Sequence, residues 1–260
     1  MNKMWITLLF ELKRHKGRFF IFTIISVAVV SLSGLIPYFI DPDAIPGAFN
    51  DFAQSQLSFI NYIIIFGACF FFGGIIVEEF QHKTYLILFP KTEKLKLIAG
   101  KYIGNFILFA TVLSIFYGYT AILGLVFYQQ LTIEFLFSFL TCIFYTTAIS
   151  TFVLVFSSCM RSVSSAIVIS IVFLFIAFDM ISTFIGLAIP YVEPIYFIHY
   201  HASLITQVFD FPEVRYIEFT FLFHMRTWLT PTHVTGIIVQ IIYIVFDLAL
   251  SYFIFNLREL

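Results

Sequence analysis

Six stretches of this chain, 19–40, 57–77, 102–127, 135–157, 166–189 and 236–256, each run for more than twenty residues almost without a charge. Roughly 20 apolar residues of helix are needed to cross the hydrocarbon core of a bilayer. Only Asp179 and Asp247 interrupt these stretches, and the other 27 charged side chains lie between them. Hydrocarbon imposes that segregation, because a lone charge at membrane depth costs about 3 kcal/mol or more. Backbone polar groups at that depth must be satisfied within the segment, so the stretches read as helices. Composition excludes the soluble alternatives: 11% of residues are charged, against about 25% in water-soluble domains. The expected fold is an all-α polytopic membrane protein, a single transmembrane domain over 1–260 with six transmembrane helices.

The placement of Lys and Arg predicts the orientation. Residues 1–18 hold five basic side chains, residues 78–101 hold five more, and Arg161 and Arg258 follow the fourth and sixth stretches. The alternate loops hold only Arg215 and Arg226. Twelve against two puts both termini in the cytoplasm of a multi-pass cell-membrane protein. The first stretch is too long for the apolar region of a signal peptide and has no small-residue cleavage site after it, so it reads as a retained helix. Cys69, Cys142 and Cys159 form no C-x-x-C pair and no secreted-type framework.

Three segments between the stretches carry patterns of their own. Residues 1–18 predict an interfacial helix, with Lys3, Thr7, Glu11 and His15 on one face and Trp5, Leu8, Leu9 and Leu12 on another. The cytoplasmic loop 78–101 opens with Glu78 and Glu79 and continues through an apolar run at 85–89, closed by Pro90. Thr92 is the expected N-cap of the next helix, which enters the Gly100/Gly104 pair. An exposed apolar run flanked by lysines suits a protein partner; packing at the membrane interface is the alternative. Residues 190–235 form the one sizeable extracytoplasmic segment. Alternation over 215–224 predicts a strand there, with re-entrant helical pieces as the competing reading.

Ionisable groups inside spans are functional candidates by default. Asp179 and Asp247 therefore stand as pathway residues, with the hydroxyls Thr147, Ser150 and Thr151 of the fourth span. Interhelical hydrogen bonding for packing is the bland alternative. In the outer segment His199 and His201 form at most half of a metal site; polar side chains in a wet loop are the simpler reading.

The run Gly73-Gly-Ile-Ile-Val-Glu-Glu79, then Lys83-Thr84, Pro90-Lys-Thr92 and Gly100-Lys101, resembles the type-2 ABC exporter permeases. The likeness extends to six spans, an N-terminal interfacial helix, Arg161-Ser162 before the fifth span and a short basic C-terminus. Glu93 or Lys94 stands where the family commonly has Arg. The resemblance implies a permease that forms a homodimer or heterodimer and binds a separate cytoplasmic ABC ATPase subunit. By position, Glu78, Glu79, Lys83, Thr84, Leu86, Phe89, Pro90 and Thr92 would form the coupling helix that docks on that subunit. The outer segment would be an extracytoplasmic gate. There is no G-x-x-x-x-G-K-[ST] loop, so ATP and Mg belong to the partner chain and this chain binds no cofactor. Nothing in the sequence calls for nucleic acid. The cargo implied is hydrophobic or amphipathic.

Two other readings compete. A membrane scaffold for an extracytoplasmic protein or metal-assembly system would use His199 and His201. A CAAX-type intramembrane protease would use Glu78-Glu79-x-x-x-Lys83 together with Phe197-x-x-x-His201, which must then meet at one metal or water. A secondary transporter is disfavoured, because no inverted repeat or interrupted helix pair is visible.

Overall fold

The structure is a computed structural model that describes residues 3–40, 46–81, 93–189, 191–219 and 225–258. Twelve α-helices occur among the described residues. They are α1 (Lys3–Arg14), α2 (Lys16–Val30), α3 (Ile36–Ile40), α4 (Phe49–Leu57), α5 (Ile60–Phe72), α6 (Val77–Gln81), α7 (Lys94–Tyr128), α8 (Ile133–Cys159), α9 (Val163–Val172), α10 (Phe178–Ala188), α11 (Leu204–Gln207) and α12 (His233–Leu257). Wide π turns join α2 to α3 at Ser31–Leu35 and α9 to α10 at Phe173–Ala177. The first of these precedes Pro37, which has no N–H to donate and whose ring presses on the preceding turn.

Six helical stretches are long and apolar enough to cross a membrane: Lys16–Leu35, Phe49–Gln81, Leu95–Tyr128, Ile133–Cys159, Val163–Gly186 and His233–Leu257. Four of them contain their apolar runs whole, while the first and fifth end at Leu35 and Gly186, short of 40 and 189; most extend past the runs elsewhere, because helix continues into the polar margins that hydropathy leaves out. The second stretch lies at the centre, with Ile64, Ile65, Ala68, Cys69 and Phe72 fully buried, whereas the fifth and sixth are mostly exposed. Its core is aromatic: Phe71 stacks on Phe109 with ring centres 5.4 Å apart, and Phe22 meets Phe71 at 5.6 Å.

Side-chain contacts sort the helix ends into two sets. At one end Arg14 bonds Glu78, Phe80 meets Phe255 and the Val163 N–H donates to Gln81. At the other end Tyr128 donates to the Pro46 carbonyl, Thr132 to Asn50 and Ser138 to the Ile205 carbonyl. We call these the charged end and the loop end. Arg258, just past α12, donates to the Ser158 carbonyl at 3.0 Å, and at the loop end Ser138 of α8 bonds Ile205 beside Leu204, which packs on Gly236 of α12, so α8 and α12 run side by side and parallel.

Three local expectations change. Leu8 and Glu11 of α1 are buried with His15 just beyond it, while Trp5, Leu9 and Phe10 are exposed. Glu11 and His15 of the polar row thus face the protein, whereas Trp5 and Leu9 of the apolar row face outward. α7 begins at Lys94 with Glu93, not Thr92, in the N-cap position, and no side chain caps it. Residues 73–76 form a turn in place of a continuous helix, and the Ile76 and Val77 N–H groups donate to the Ser157 hydroxyl. At the loop end a hairpin pairs β1 (Tyr216–Phe219) with β2 (Met225–Trp228), with Glu218 opposite Arg226. The expected strand over 215–224 is present as far as Phe219, and 220–224 lie outside the described residues.

Candidate functional site

The charged end holds a buried junction of ions. α1 supplies Glu11 and Arg14, His15 lies between α1 and α2, α2 supplies Arg18, α6 supplies Glu78 and Glu79, and α7 supplies Lys101. Glu11 is 1% exposed and Lys101 is 4% exposed, so neither is solvated by bulk water. Lys101 pairs with Glu79 and lies 3.7 Å from Glu11. Arg14 pairs with Glu78 and lies 3.5 Å from Glu11, while Arg18 lies 3.6 Å from Glu78. His15 Nε2 completes the set at 3.0 Å from Glu11. Three carboxylates face three fixed cations, so the junction carries charge inside without a net charge to desolvate. Burial works against the ionised Glu11, yet the His15 hydrogen bond and the Lys101 and Arg14 charges outweigh it, and its carboxyl is held below the ordinary range.

Local sequence explains the fit. An ideal Cβ on Gly104 would lie 3.1 Å from the Glu11 Cβ and 3.2 Å from the Leu8 carbonyl oxygen. Glycine there lets α1 approach α7 closely enough for Lys101 to reach Glu11. Arg18 also donates to the Phe70 carbonyl at 2.8 Å, next to the point where the central span breaks into its turn. Of the expected docking residues, Glu78 and Glu79 are buried in this junction. Lys83, Thr84, Leu86, Phe89, Pro90 and Thr92 lie outside the described residues.

Among the described residues no hydrogen bond links Asp179 or Asp247 to Thr147, Ser150 or Thr151. Thr147, Ser150 and Thr151 each donate to a carbonyl of their own helix, and Ser150 also bonds the Tyr102 hydroxyl at 2.7 Å. Asp179 is exposed over 57% of its side chain and sits 3.4 Å from His199 Nε2. Asp247 is 3% exposed, on a buried stripe of α12 with Gly236, Gln240 and Ser251. Its Oδ2, both ends of the Gln240 amide and the Thr146 hydroxyl have no hydrogen-bond partner among the described residues. Arg258 lies against Ser158 on parallel helices, so residue 247 stands about level with residue 147 of α8.

At the loop end His199 and His201 are held apart in role. His201 is fully buried and its Nε2 contacts the Ile195 carbonyl at 2.8 Å, whereas His199 faces Asp179. Burial lowers the affinity of both rings for a proton; the Ile195 carbonyl partly offsets this for His201 and Asp179 does so for His199. No three metal-capable side chains converge among the described residues. An outer network surrounds them: Tyr200 and Arg215 both donate to Glu193, and Arg226 lies 4.4 Å from the Tyr216 ring.

The protease constellation fails on distance. Phe80 contacts Phe255, whereas His201 Nδ1 lies 3.4 Å from an ideal Cβ on Gly236. Nineteen residues of α12 separate those two points, about 28 Å at the helical rise of about 1.5 Å per residue. Glu78 and His201 therefore sit at opposite ends of the protein.

Sequence reading missed the burial of Glu11 and His15 and the pairing of Arg14 and Arg18 with Glu78. The signal was present, as Glu11 and His15 stand at i, i+4 opposite the Trp/Leu row. Comparison with protein-family models gives no match, and no curated protein matches the chain.

Proposed function

We propose that this chain is the membrane subunit of an ATP-driven exporter of the type-2 permease kind. Both termini and the segment 82–92 would then be cytoplasmic. A separate ABC ATPase would hydrolyse ATP, and a second permease chain would complete a homodimer or heterodimer. The observation that carries this reading is the ion junction at the charged end. Segment 82–92 leaves the chain directly after Glu78 and Glu79, which are bonded to α1 and α7 through Arg14 and Lys101. A displacement imposed on that segment therefore acts on the interfacial helix, the central span and the third span together. A partner's mechanical cycle requires a linkage of that kind, since buried ion pairs resist separation by about 3–5 kcal/mol when one partner is lost. The excess of basic residues at the same end supports its assignment to the cytoplasm. A hydrophobic or amphipathic cargo would move by alternating access.

The test pairs this chain with the ATPase encoded beside its gene. Replacing Leu86 and Phe89 with Glu is expected to abolish co-purification of the ATPase and its stimulated hydrolysis, with the permease still folded. Unchanged association and stimulation would reject the docking assignment.

A further inference from the structure

A cleft of about 500 Å³ opens at the loop end, between the start of the central span and the helical turn at 198–207. Its size falls in the range of small-molecule sites, about 300–1,000 Å³. Gln54, Ser58, Asn61, His199, Ser203 and Thr206 supply hydrogen-bonding groups to its wall, while Leu57, Ile60 and Leu229 supply apolar surface. No Lys, Arg, Asp or Glu lines it among the described residues. A charged ligand would lose its hydration there without meeting a counter-charge.

The hydrogen-bond roles narrow the chemistry further. Ser58, Ser203 and Thr206 each donate their proton to a backbone carbonyl, of Ser55, Tyr200 and Ser203 in turn. Each keeps lone pairs for a ligand, so these hydroxyls act as acceptors. Asn61 does the reverse: its carbonyl oxygen accepts from the buried Tyr145 hydroxyl at 3.0 Å, leaving the amide N–H groups as donors. The wall is anchored as well as polar, because Tyr200 and Arg215 both bond Glu193 and Asp179 lies against His199. A compact group with several hydroxyls satisfies acceptors and donors together and lays a C–H face on the half-buried Leu229.

We propose that this cleft binds a neutral polyhydroxylated group, a sugar or cyclitol ring, free or as the headgroup of a lipid. The assignment stands on the cleft alone and does not depend on the exporter reading.

The chain has two tryptophans, Trp5 and Trp228, and Trp228 adjoins Leu229 of the wall. In a Trp5→Phe background the fluorescence of the full chain in phosphatidylcholine nanodiscs reports on the cleft. Titration with N-acetylglucosamine or myo-inositol is expected to give a saturable change, absent with choline or acetate. Thr206→Val and Asn61→Leu are each expected to weaken binding about tenfold, the loss of one hydrogen bond. Thr206→Val preserves shape and so keeps the test valid if Asn61→Leu fails to fold. Nanodiscs doped with glucosyl diacylglycerol form the second arm: occupancy there that free sugar does not match assigns a lipid headgroup, and equal occupancy assigns a free ring. No saturable response in either arm, choline binding as well as the sugars, or unchanged binding in a folded Thr206→Val protein would each overturn the proposal.

Discussion

Lys101→Met places the largest strain on the charged junction. The ammonium is 4% exposed, pairs with Glu79, lies 3.7 Å from Glu11 and 3.5 Å from the Ile75 carbonyl oxygen. Methionine matches the length of the stem, so packing changes little and the charge is what is lost. Glu79 and Glu11 then face each other with one cation fewer, although Glu11 keeps Arg14 and His15. Removing one member of a buried ion pair costs about 3–5 kcal/mol, and the contacts left to Glu11 favour the lower value, about 3 kcal/mol. A second variant, Glu79→Gln with Lys101→Met, removes the carboxylate that Lys101 had balanced and should recover about half of that loss or more. The assay is unfolding of the purified chain in mixed micelles, followed by far-ultraviolet circular dichroism at several pH values. In the native protein the depressed Glu11 pKa contributes stability that is present above the unfolded value and is lost as pH falls through the folded one. In Lys101→Met the Glu11 carboxyl loses one of the charges that hold it down, so the deficit against the native protein should be largest at high pH and shrink as pH falls. A deficit below about 1 kcal/mol, equal in the double variant and flat with pH, would show that the junction contributes no more than a surface pair.

Gly104→Val should lift α1 from α7, because the new side chain starts 3.1 Å from the Glu11 Cβ; a loss of about 1–3 kcal/mol and faster hydrogen exchange over Lys3–Arg14 are expected. Asp247→Asn keeps the shape of a side chain whose Oδ2 has no partner among the described residues; folding should change by about 1 kcal/mol or less, while transport by a reconstituted complex falls, and lost dimer with intact transport would reverse that assignment. His201 is held neutral by burial, so its contribution to stability is complete above about pH 6.5 and declines as pH falls towards the lowered folded value. That decline should vanish in His201→Gln when the unfolding midpoint is followed from pH 7.5 to about pH 5.

The six apolar helices were legible because charge cannot enter hydrocarbon, and that constraint acts on single residues read one at a time. What the pattern did not reveal depends on pairs. Glu11 looked solvated because its partner Lys101 lies far along the chain, and no local spacing announces that meeting. Thr147, Ser150 and Thr151 read as a polar stripe, and the sequence did not show that each hydroxyl donates to a carbonyl within its own helix. Apolar runs also understate helix length at polar margins, which is why Phe49–Gln81 begins well before residue 57. The cleft drew on residues from both the second span and the outer segment, a juxtaposition that only the fold supplies.

The junction also has a history during synthesis. Glu11 leaves the ribosome ninety residues ahead of Lys101, a delay of roughly 5–18 s at about 5–20 residues per second. Until Lys101 emerges, α1 has no fixed cation from the third span to dock against, Glu78 has Arg14 and Arg18 to answer it, and Glu79 lacks its bond to α7. The first two spans are therefore held provisionally, and arrival of a single lysine closes the assembly around them. That makes residue 101 a checkpoint in biogenesis, where loss of one cation would leave a half-inserted chain for quality control to remove.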